Sequence, residues 1–127
     1  MRILIVEDSP LVQRMYGLAF PKREYQLVTA NDGRAALERL GESKFHVVLL
    51  DLRMAGMNGV EFLRELQNRP DLLGIPIVVT TSEEPGSELL EEARRLGAHT
   101  IVRKPWHPQQ LREVVDAIVR TQRPGPA

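Results

Sequence analysis

The sequence predicts an α/β fold with a single doubly wound, five-stranded parallel sheet and helices on both faces. Five short apolar runs rich in Val, Ile and Leu alternate with segments in which apolar residues have helical spacing. Runs that are apolar at every position are typical of strands buried on both faces of a parallel sheet. Because parallel neighbours are joined by right-handed crossovers, this strict alternation favours the flavodoxin-like strand order 2-1-3-4-5.

The composition limits the classes of protein to which the chain can belong. Its 127 residues suffice for one domain, which we expect to span 1–122, with 123–127 as a flexible tail or linker stub. Seventeen basic and seventeen acidic residues cancel, so we expect no direct binding to nucleic acid. No apolar run approaches the roughly 20 residues that span a bilayer, and a strand close behind Met1 leaves no room for a signal peptide. We therefore expect no membrane insertion and a cytoplasmic location, with which the absence of cysteine agrees.

The first strand and helix follow from local signals. RILIVED is an apolar run that ends in two acids, Glu7 and Asp8. Ser9 is a favoured N-cap residue, and Pro10 suits the first position of a helix, which Pro21 then ends. Apolar residues recur in this helix at i, i+4 and i+7 and predict its buried face: Leu11, Met15 and Leu18.

The second and third strands have the same apolar character. QLVTA (26–30) is the second strand, and HVVLLD, which ends on Asp51, is the third. The turn 31–33 opens the helix between them. Its predicted buried residues are Ala36, Leu37 and Leu40. A loop rich in turn residues follows Asp51, and the next helix ends before Pro70. The predicted buried residues of that helix are Phe62, Leu63 and Leu66.

The last two strands and helices complete the alternation. Pro76 precedes the strand IVVTT, and HTIVRKP is the fifth strand and delivers Lys104. The helix between these strands ends with Gly97 in the C′ position. Its predicted buried face is Leu89, Ala93 and Leu96. Pro108 begins the final helix. Its predicted buried stripe is Leu111, Val114, Val115 and Ile118.

Charged residues lie at the carboxyl ends of three of these strands. Glu7 and Asp8 follow the first strand, Asp51 ends the third, and Lys104 follows the fifth. Ligands of open α/β sheets bind outside the carboxyl ends of the strands, and the switch point of the expected order lies between strands 1 and 3. Clustered carboxylates repel one another unless a cation is bound, and Mg²⁺ prefers carboxylate, water and phosphate oxygens. The sequence therefore predicts a site for Mg²⁺ and a phosphoryl group.

The same pattern resembles the receiver domain of two-component response regulators, in particular the single-domain chemotaxis type. An acidic pair follows strand 1, Asp51 follows strand 3, Thr81 follows strand 4 and Lys104-Pro105 follows strand 5. The resemblance extends over about residues 1–120. It implies that Asp51 is the nucleophile that takes a phosphoryl group from a phosphohistidine. Lys104 and the hydroxyl of Thr81 would contact the phosphoryl oxygens, and the Lys104–Pro105 bond would be cis.

The resemblance also implies a set of metal ligands. Asp8 and Asp51 would bind Mg²⁺ directly, Glu7 would hold it through water, and the backbone carbonyl of Arg53 would complete the protein ligands. Phosphoryl transfer depends mainly on positioning and charge neutralisation, and a metal ion and a lysine supply both. Mg²⁺ is thus the expected cofactor.

Two ways of counting place the hydroxyl of the site at different residues. Counting forward from Pro76 selects Thr81, whereas counting back from Lys104 favours Ser82. We assign the hydroxyl to Thr81, with Ser82 at the adjacent small-residue position. Thr80 is then expected to point into the sheet as a β-branched core residue.

Several residues depart from the usual receiver pattern. Ile101 stands where the family usually has Tyr or Phe, so it cannot act as a rotameric aromatic switch. Trp106 is a candidate substitute, but we favour a packing role for it. The loop sequence MAGMNG (54–59) also differs from the usual sequence of the family. Gly59 still permits another backbone segment to approach closely. Arg53 and Glu83, two positions beyond the nucleophile and the hydroxyl residue, carry opposite charges and predict an ion pair across the mouth of the site.

The resulting hypothesis is a phosphorylation-controlled interaction module. A sensor histidine kinase or a phosphotransfer protein would donate the phosphoryl group, and the added charge would switch a surface for an unidentified downstream protein. The chain would not be an enzyme beyond catalysing its own phosphorylation and dephosphorylation. A Mg²⁺-dependent phosphohydrolase with an aspartate nucleophile is one alternative, but such enzymes typically carry a second carboxylate where this chain has Arg53. The second alternative is a receiver-like scaffold that is never phosphorylated. The main reason to retain this alternative is Ile101, which replaces the usual aromatic residue.

Overall fold

The computed structural model describes residues 1–122, and the tail predicted for 123–127 lies outside the described residues. The strands are β1 (Arg2–Val6), β2 (Gln26–Ala30), β3 (Val47–Asp51), β4 (Ile77–Thr81) and β5 (Thr100–Arg103). The helices are α1 (Pro10–Ala19), α2 (Gly33–Glu42), α3 (Gly59–Leu66), α4 (Glu88–Arg95) and α5 (Pro108–Gln122). The strands form one parallel sheet in the order β2-β1-β3-β4-β5, so the predicted fold class and strand order are confirmed.

The register of the sheet brings the ends of its strands to one edge. β1 and β3 are direct neighbours, and Asp51 at the end of β3 lies opposite Thr80 of β4. Thr81 at the end of β4 lies opposite Arg103, the last residue of β5. Since all strands are parallel, the residues that follow β1, β3 and β5 emerge at the same edge. The chain leaves β1 and β3 toward opposite faces, which makes this edge the topological switch point.

Helices cover both faces of the sheet and bury two apolar cores. Residues of α1 and α5 pack over one face together with Ile3, Ile5 and Leu49. Residues of α2, α3 and α4 pack over the other face together with Leu4 and Leu50. Alternate residues of a strand point to opposite faces, so both faces of β3 and β4 are buried, and their polar residues are found only toward their carboxyl ends. Within residues 1–122, no helix combines the length and the apolar character that crossing a bilayer requires.

The buried face of α1 differs from the predicted one. Leu11 and Leu18 are 64% and 76% exposed, and Met15 is half-buried, whereas Tyr16 and Ala19 are fully buried. Because α1 carries apolar residues on adjoining faces, helical spacing alone fits more than one orientation. Tyr16 determines which face packs, since its ring and its hydroxyl both find partners in the core.

The buried stripe of α4 is also broader than predicted. Leu90 and Ala93 are its most deeply buried residues, while Leu89 and Leu96 are half-buried. Gly97 follows the helix in the left-handed region, with φ +101°, as its predicted C′ position requires.

Candidate functional site

Three carboxylates meet at the carboxyl edge of β1 and β3. Glu7 and Asp8 directly follow β1, and Asp51 is the last residue of β3. One oxygen from each carboxylate lies within 4.8 Å of the other two. Glu7 and Asp51 are only 1% and 8% exposed, whereas Asp8 is open to solvent. The structure therefore brings together the acidic cluster that the sequence predicts, and it buries two of its three members.

The ammonium group of Lys104 lies against this cluster. Its Nζ is 3.4 Å from Oε1 of Glu7 and 3.5 Å from Oδ1 of Asp51. The backbone amide of Lys104 donates to the carbonyl of Thr81 at 2.8 Å, which continues the pairing of β5 with β4. The Lys104–Pro105 bond is cis, as the resemblance implies. A single ammonium among three carboxylates neutralises only part of their charge.

Glu7 is the most perturbed acid of the site. Burial, and after it the hydrogen bond and negative charge of Asp51, raise the pKa of Glu7 from 4.5 to about 7, against the opposing effect of Lys104. Its Oε2 is buried and has no hydrogen-bond partner among the residues that the structure describes. A buried oxygen without a partner is costly. A proton or a cation at this oxygen would therefore stabilise the site.

The residues at this edge fit a small divalent cation. Mg²⁺ takes oxygen ligands and usually binds one or two carboxylates together with water and phosphate oxygens. The cluster of Glu7, Asp8 and Asp51 offers only hard carboxylate oxygens, which favour Mg²⁺ over softer transition metals. The unpartnered Oε2 of Glu7 is an acceptor that the described residues leave unused.

The loop after β3 is held against the cluster by its backbone. The amide of Ala55 donates to Oδ2 of Asp8 at 3.2 Å, and the amide of Arg53 approaches Oδ1 of Asp51 at 3.5 Å. At the far end of the loop, a Cβ on Gly59 would lie 2.6 Å from the carbonyl oxygen of Asp51. Only glycine permits this approach, so the close contact expected at Gly59 is present.

Two threonines end β4 with different surroundings. Thr81 is 1% exposed, and its Oγ1 accepts a hydrogen bond from the amide of Glu83 at 3.0 Å. Thr80 is fully buried, as expected, but its hydroxyl pairs with the hydroxyl of Tyr16 at 2.6 Å. Ser82 is exposed. The place of Thr81 at the end of β4 agrees with its assignment as the hydroxyl of the site, and its contact with a phosphoryl group stays a prediction.

The sequence analysis did not identify Tyr16, which contacts both Thr80 and the ring of Trp106. The ring of Tyr16 stacks on Trp106, with centroids 4.9 Å apart and an angle of 28° between the planes. Burial raises the pKa of Tyr16 well above its usual value, the bond to Thr80 lowers it, and the charges of Glu7 and Asp51 raise it. The hydroxyl therefore stays protonated. The available signal was that a buried tyrosine needs a hydrogen-bond partner, which a threonine-containing strand offers.

The predicted ion pair crosses the mouth of the site. Nη2 of Arg53 lies 2.6 Å from Oε1 of Glu83, and Nε of Arg53 donates to the same oxygen at 2.6 Å. The side chain of Arg53 is 74% exposed, so the pair contributes little to stability. Ile101 is half-buried against the core under α2, α3 and α4. Because its side chain is aliphatic, Ile101 cannot act as an aromatic rotameric switch.

Comparisons with known proteins agree with this geometry. A family model described as "Response regulator receiver domain" matches residues 3–116. Regulatory protein AtoC of Escherichia coli K12 is 33% identical over 121 residues, which cover 95% of this chain and 26% of AtoC. Protein PilH of Pseudomonas aeruginosa is 28% identical over 118 residues, which cover 93% of this chain and 97% of PilH. The chain thus spans about a quarter of the first relative and nearly all of the second.

A solved structure shares the same architecture. The signal receiver domain of a signal transduction histidine kinase from Syntrophus aciditrophicus has a TM-score of 0.86 at 25% identity. The match covers 99% of this chain and 96% of that domain. The similarity therefore includes the whole sheet and the edge at which the charged residues lie.

Proposed function

This chain belongs to the receiver domain family of two-component response regulators, and from that membership we propose that Asp51 is its phosphoacceptor. One arrangement carries the proposal: the carboxylate that ends β3 lies at the switch point with its Oδ1 3.5 Å from the ammonium group of Lys104. A carboxylate so placed can act as a nucleophile, and the adjacent cation can neutralise the phosphoryl oxygens during transfer. The hydroxyl of Thr81 would donate to a further phosphoryl oxygen.

We propose Mg²⁺ as the cofactor of this site. Asp8, Asp51 and the backbone carbonyl of Arg53 would hold the ion, and Glu7 would hold it through water. Bound there, Mg²⁺ would supply charge neutralisation for the transferring phosphoryl group. Support comes from the three clustered carboxylates and from the unpartnered, buried Oε2 of Glu7.

The proposed donor is the phosphohistidine of a sensor histidine kinase or of a phosphotransfer protein. Phosphorylation adds a charge of about −1.5 to −2, which would change the balance between Lys104 and the carboxylates and so switch a surface for a downstream protein. We propose that this exchange takes place in the cytoplasm and that the chain itself makes no direct contact with nucleic acid.

We further propose that the chain turns over no external substrate. An aspartate-based phosphohydrolase would need a general acid two positions beyond its nucleophile. That position holds Arg53, whose guanidinium group is paired with Glu83. Catalysis would then be confined to phosphorylation and dephosphorylation of Asp51 itself.

Labelling by a small phosphodonor tests the proposal. The protein is incubated with acetyl phosphate with and without Mg²⁺, and the phosphorylated fraction is measured on Phos-tag gels. We expect labelling that depends on Mg²⁺ and a loss of roughly a hundredfold or more in Asp51→Asn. Asp71→Asn is the matched control, because Asp71 is an exposed acid that pairs with Arg69 away from the site. Equal labelling of Asp51→Asn and the unmodified protein would exclude Asp51 as the acceptor.

A further inference from the structure

The loop between β3 and α3 is anchored at two points. On the side of the acidic cluster, the amide of Ala55 donates to Oδ2 of Asp8 at 3.2 Å. On the side of α2, the carbonyl of Met57 accepts a hydrogen bond from the amide of Gly33 at 2.8 Å. Gly33 is the first residue of α2. The loop therefore connects the acidic cluster to the beginning of a helix that contributes no carboxylate to it.

The side chain of Met57 lies in a notch that the missing side chain of Gly33 leaves open. A Cβ on Gly33 would lie 2.8 Å from Cγ and 2.9 Å from Sδ of Met57, and 2.9 Å from Cβ of Phe62 in α3. The methionine therefore occupies space that any other residue at the start of α2 would need. Met57 is half-buried and packs against the core that α2, α3 and α4 cover. A thioether side chain is flexible and fills irregular gaps of this kind.

The same loop carries two groups that the proposed metal site uses. The backbone carbonyl of Arg53 is a proposed Mg²⁺ ligand, and the amide of Ala55 bonds to Asp8, which is another. Ordering a backbone segment costs conformational entropy. A loop that is already held at Met57 has less of this entropy to lose when the metal binds. The anchor on α2 should therefore increase the affinity for Mg²⁺.

We propose that Met57 is a positioning residue of the metal site, which holds the loop so that the carbonyl of Arg53 and the amide of Ala55 stay in place. The inference rests on the proposed function, in which Mg²⁺ binds beside Asp51. Met57 acts through the backbone of the loop, and Gly33 forms the other half of the contact. The start of α2 thereby supports the site without supplying a ligand.

Variants of Met57 test this role through the affinity for Mg²⁺. Met57→Ala should raise the Kd about tenfold, a loss typical of residues that support metal ligands. Met57→Leu keeps an apolar side chain of similar volume, so its Kd should stay close to that of the unmodified protein. Amide chemical shifts in a Mg²⁺ titration measure each Kd. A loss in Met57→Leu as large as that in Met57→Ala would overturn the role of the filled notch.

Leu37→Ala is the matched control for stability. Leu37 is a half-buried residue of α2 that packs against the same core as Met57. Leu37→Ala and Met57→Ala should both lower the free energy of unfolding, because each removes apolar burial from this core. Only Met57→Ala should weaken Mg²⁺ binding. Equal losses of affinity in the two variants would show that Met57 contributes to stability alone.

Hydrogen exchange in buffer without Mg²⁺ measures the two anchors directly. The amides of Gly33 and Ala55 donate to the carbonyl of Met57 and to Asp8, so the protection of each amide reports one anchor. Met57→Ala should speed the exchange of both amides about tenfold through local opening of the loop. Met57→Leu should leave both rates unchanged. Exchange of Ala55 that does not respond to Met57→Ala would contradict a connection between the anchors.

Gly33→Ala disturbs the same contact from α2. The added methyl group should displace Met57 and raise the Kd for Mg²⁺ about tenfold. In the double variant with Met57→Ala, the space of the methionine is vacant although the contact with Phe62 remains, so the combined loss should be smaller than the product of the single losses. Gly41→Ala is the matched control, because a Cβ on Gly41 of the same helix would meet no described atom within 4 Å. Losses that multiply would contradict a shared contact.

The outcomes separate this inference from the proposed function. Absence of Mg²⁺ binding in the unmodified protein overturns the proposed cofactor. Binding that is equally tight in the unmodified protein and in Met57→Ala overturns only the role of Met57. If Gly33→Ala fails to fold, the comparison of Met57→Ala with Leu37→Ala still decides between a positioning role and a purely structural one.

Discussion

The central strands β1 and β3 pass through two regions of opposite chemistry, the middle of the sheet and its carboxyl edge. In the middle, Leu4 and Ile5 lie opposite Val48 and Leu49, and all four side chains are apolar and fully buried. At the edge, Glu7 is almost as deeply buried but is acidic, and one of its oxygens has no partner in the described part of the chain. The apolar middle of the sheet and the buried acid at its edge therefore lie only a few residues apart along the chain.

The difference shows how the chain separates stability from function. Apolar burial in the middle contributes about 25 cal/mol for each Å² removed from water, and it depends on neither pH nor metal ions. At the edge, burial and, after it, the neighbouring Asp51 disfavour the charged form of Glu7, and the raised pKa of Glu7 reflects that cost. The two regions should therefore respond to different perturbations.

Shortening a side chain in the middle should have the largest effect on stability. Leu50 of β3 is fully buried, so Leu50→Ala should lower the free energy of unfolding by about 3–5 kcal/mol through lost burial and a cavity. Leu18→Ala is the matched control, because Leu18 is 76% exposed and its loss should cost less than about 0.5 kcal/mol. Urea unfolding of both variants measures the two costs. Similar values would contradict the assignment of the core.

The buried acid at the edge should make stability depend on pH. The pKa of Glu7 is about 7 in the folded protein, against an ordinary value of 4.5. Below the lower value both folded and unfolded chains hold the proton, and between the two values only the folded chain keeps it. The free energy of unfolding should therefore fall as the pH rises through this window, by about 2–3 kcal/mol, and stay level above it.

Glu7→Gln isolates this contribution. In buffer without Mg²⁺, the free energy of unfolding of the unmodified protein and of Glu7→Gln is measured across the same pH window. Subtracting the free energy of unfolding of Glu7→Gln from that of the unmodified protein removes the contributions of the other titrating groups. The remaining value should change across the pH window by the full amount expected for Glu7. Two parallel curves would show that burial does not shift this pKa.

Mg²⁺ should stabilise the whole folded chain by binding at the edge. A ligand that binds only the folded state at about ten times its Kd adds about 1.4 kcal/mol to the free energy of unfolding. We expect Mg²⁺ to raise the Tm of the unmodified protein and of Leu18→Ala by the same amount, and to leave the Tm of Asp8→Ala unchanged. Thermal unfolding in a Mg²⁺ titration measures these shifts. A Tm that does not respond in the unmodified protein would argue against a metal site.

The ion pair at the mouth of the site should have the smallest effect. Arg53 is largely exposed, so breaking its pair with Glu83 should change the free energy of unfolding by less than about 1 kcal/mol. The expected effect is kinetic, because an ion pair across the mouth of the site would obstruct an attacking water. Arg53→Ala and Glu83→Ala should each speed dephosphorylation roughly two- to fivefold, and the double variant should fall short of the product of both effects.

Phosphate release after removal of the donor measures these rates. Arg69→Ala is the matched control, because Arg69 pairs with Asp71 away from the site, and its rate should equal that of the unmodified protein. Single effects that simply multiply in the double variant would contradict a shared gate.

The strands could be predicted from the sequence, whereas the orientation of α1 could not. A strand buried on both faces is apolar at most of its positions, so the short apolar runs alone indicate where β1, β3 and β4 lie. In α1, Leu11 and Leu18 fit the helical period as well as Tyr16 and Ala19 do. The choice between the two faces depends on Trp106, which lies far from α1 in the sequence and stacks on Tyr16. The spacing of apolar residues within α1 carries no information about this partner.

The members of the candidate site were predictable, but their environments were not. Parallel strands end at one edge, so the positions of Glu7, Asp51 and Lys104 follow from where the apolar runs stop. The sequence does not show how deeply Glu7 and Asp8 are buried. The folded chain buries the first and exposes the second, because successive residues after a strand point in different directions.

Gly59 is a position at which this sequence tolerates no side chain without a shift of the backbone. A side chain there would meet the carbonyl oxygen of Asp51 at 2.6 Å and Cα of Leu52 at 2.8 Å. Both obstacles are backbone atoms, so no change of rotamer relieves the clash. A new side chain at an exposed position of α3, such as Glu61 or Glu65, can turn toward solvent, whereas a side chain at Gly59 has to displace the backbone at the end of β3. Selection that preserves the position of Asp51 therefore also acts on Gly59, a residue that has no side chain with which to take part in chemistry.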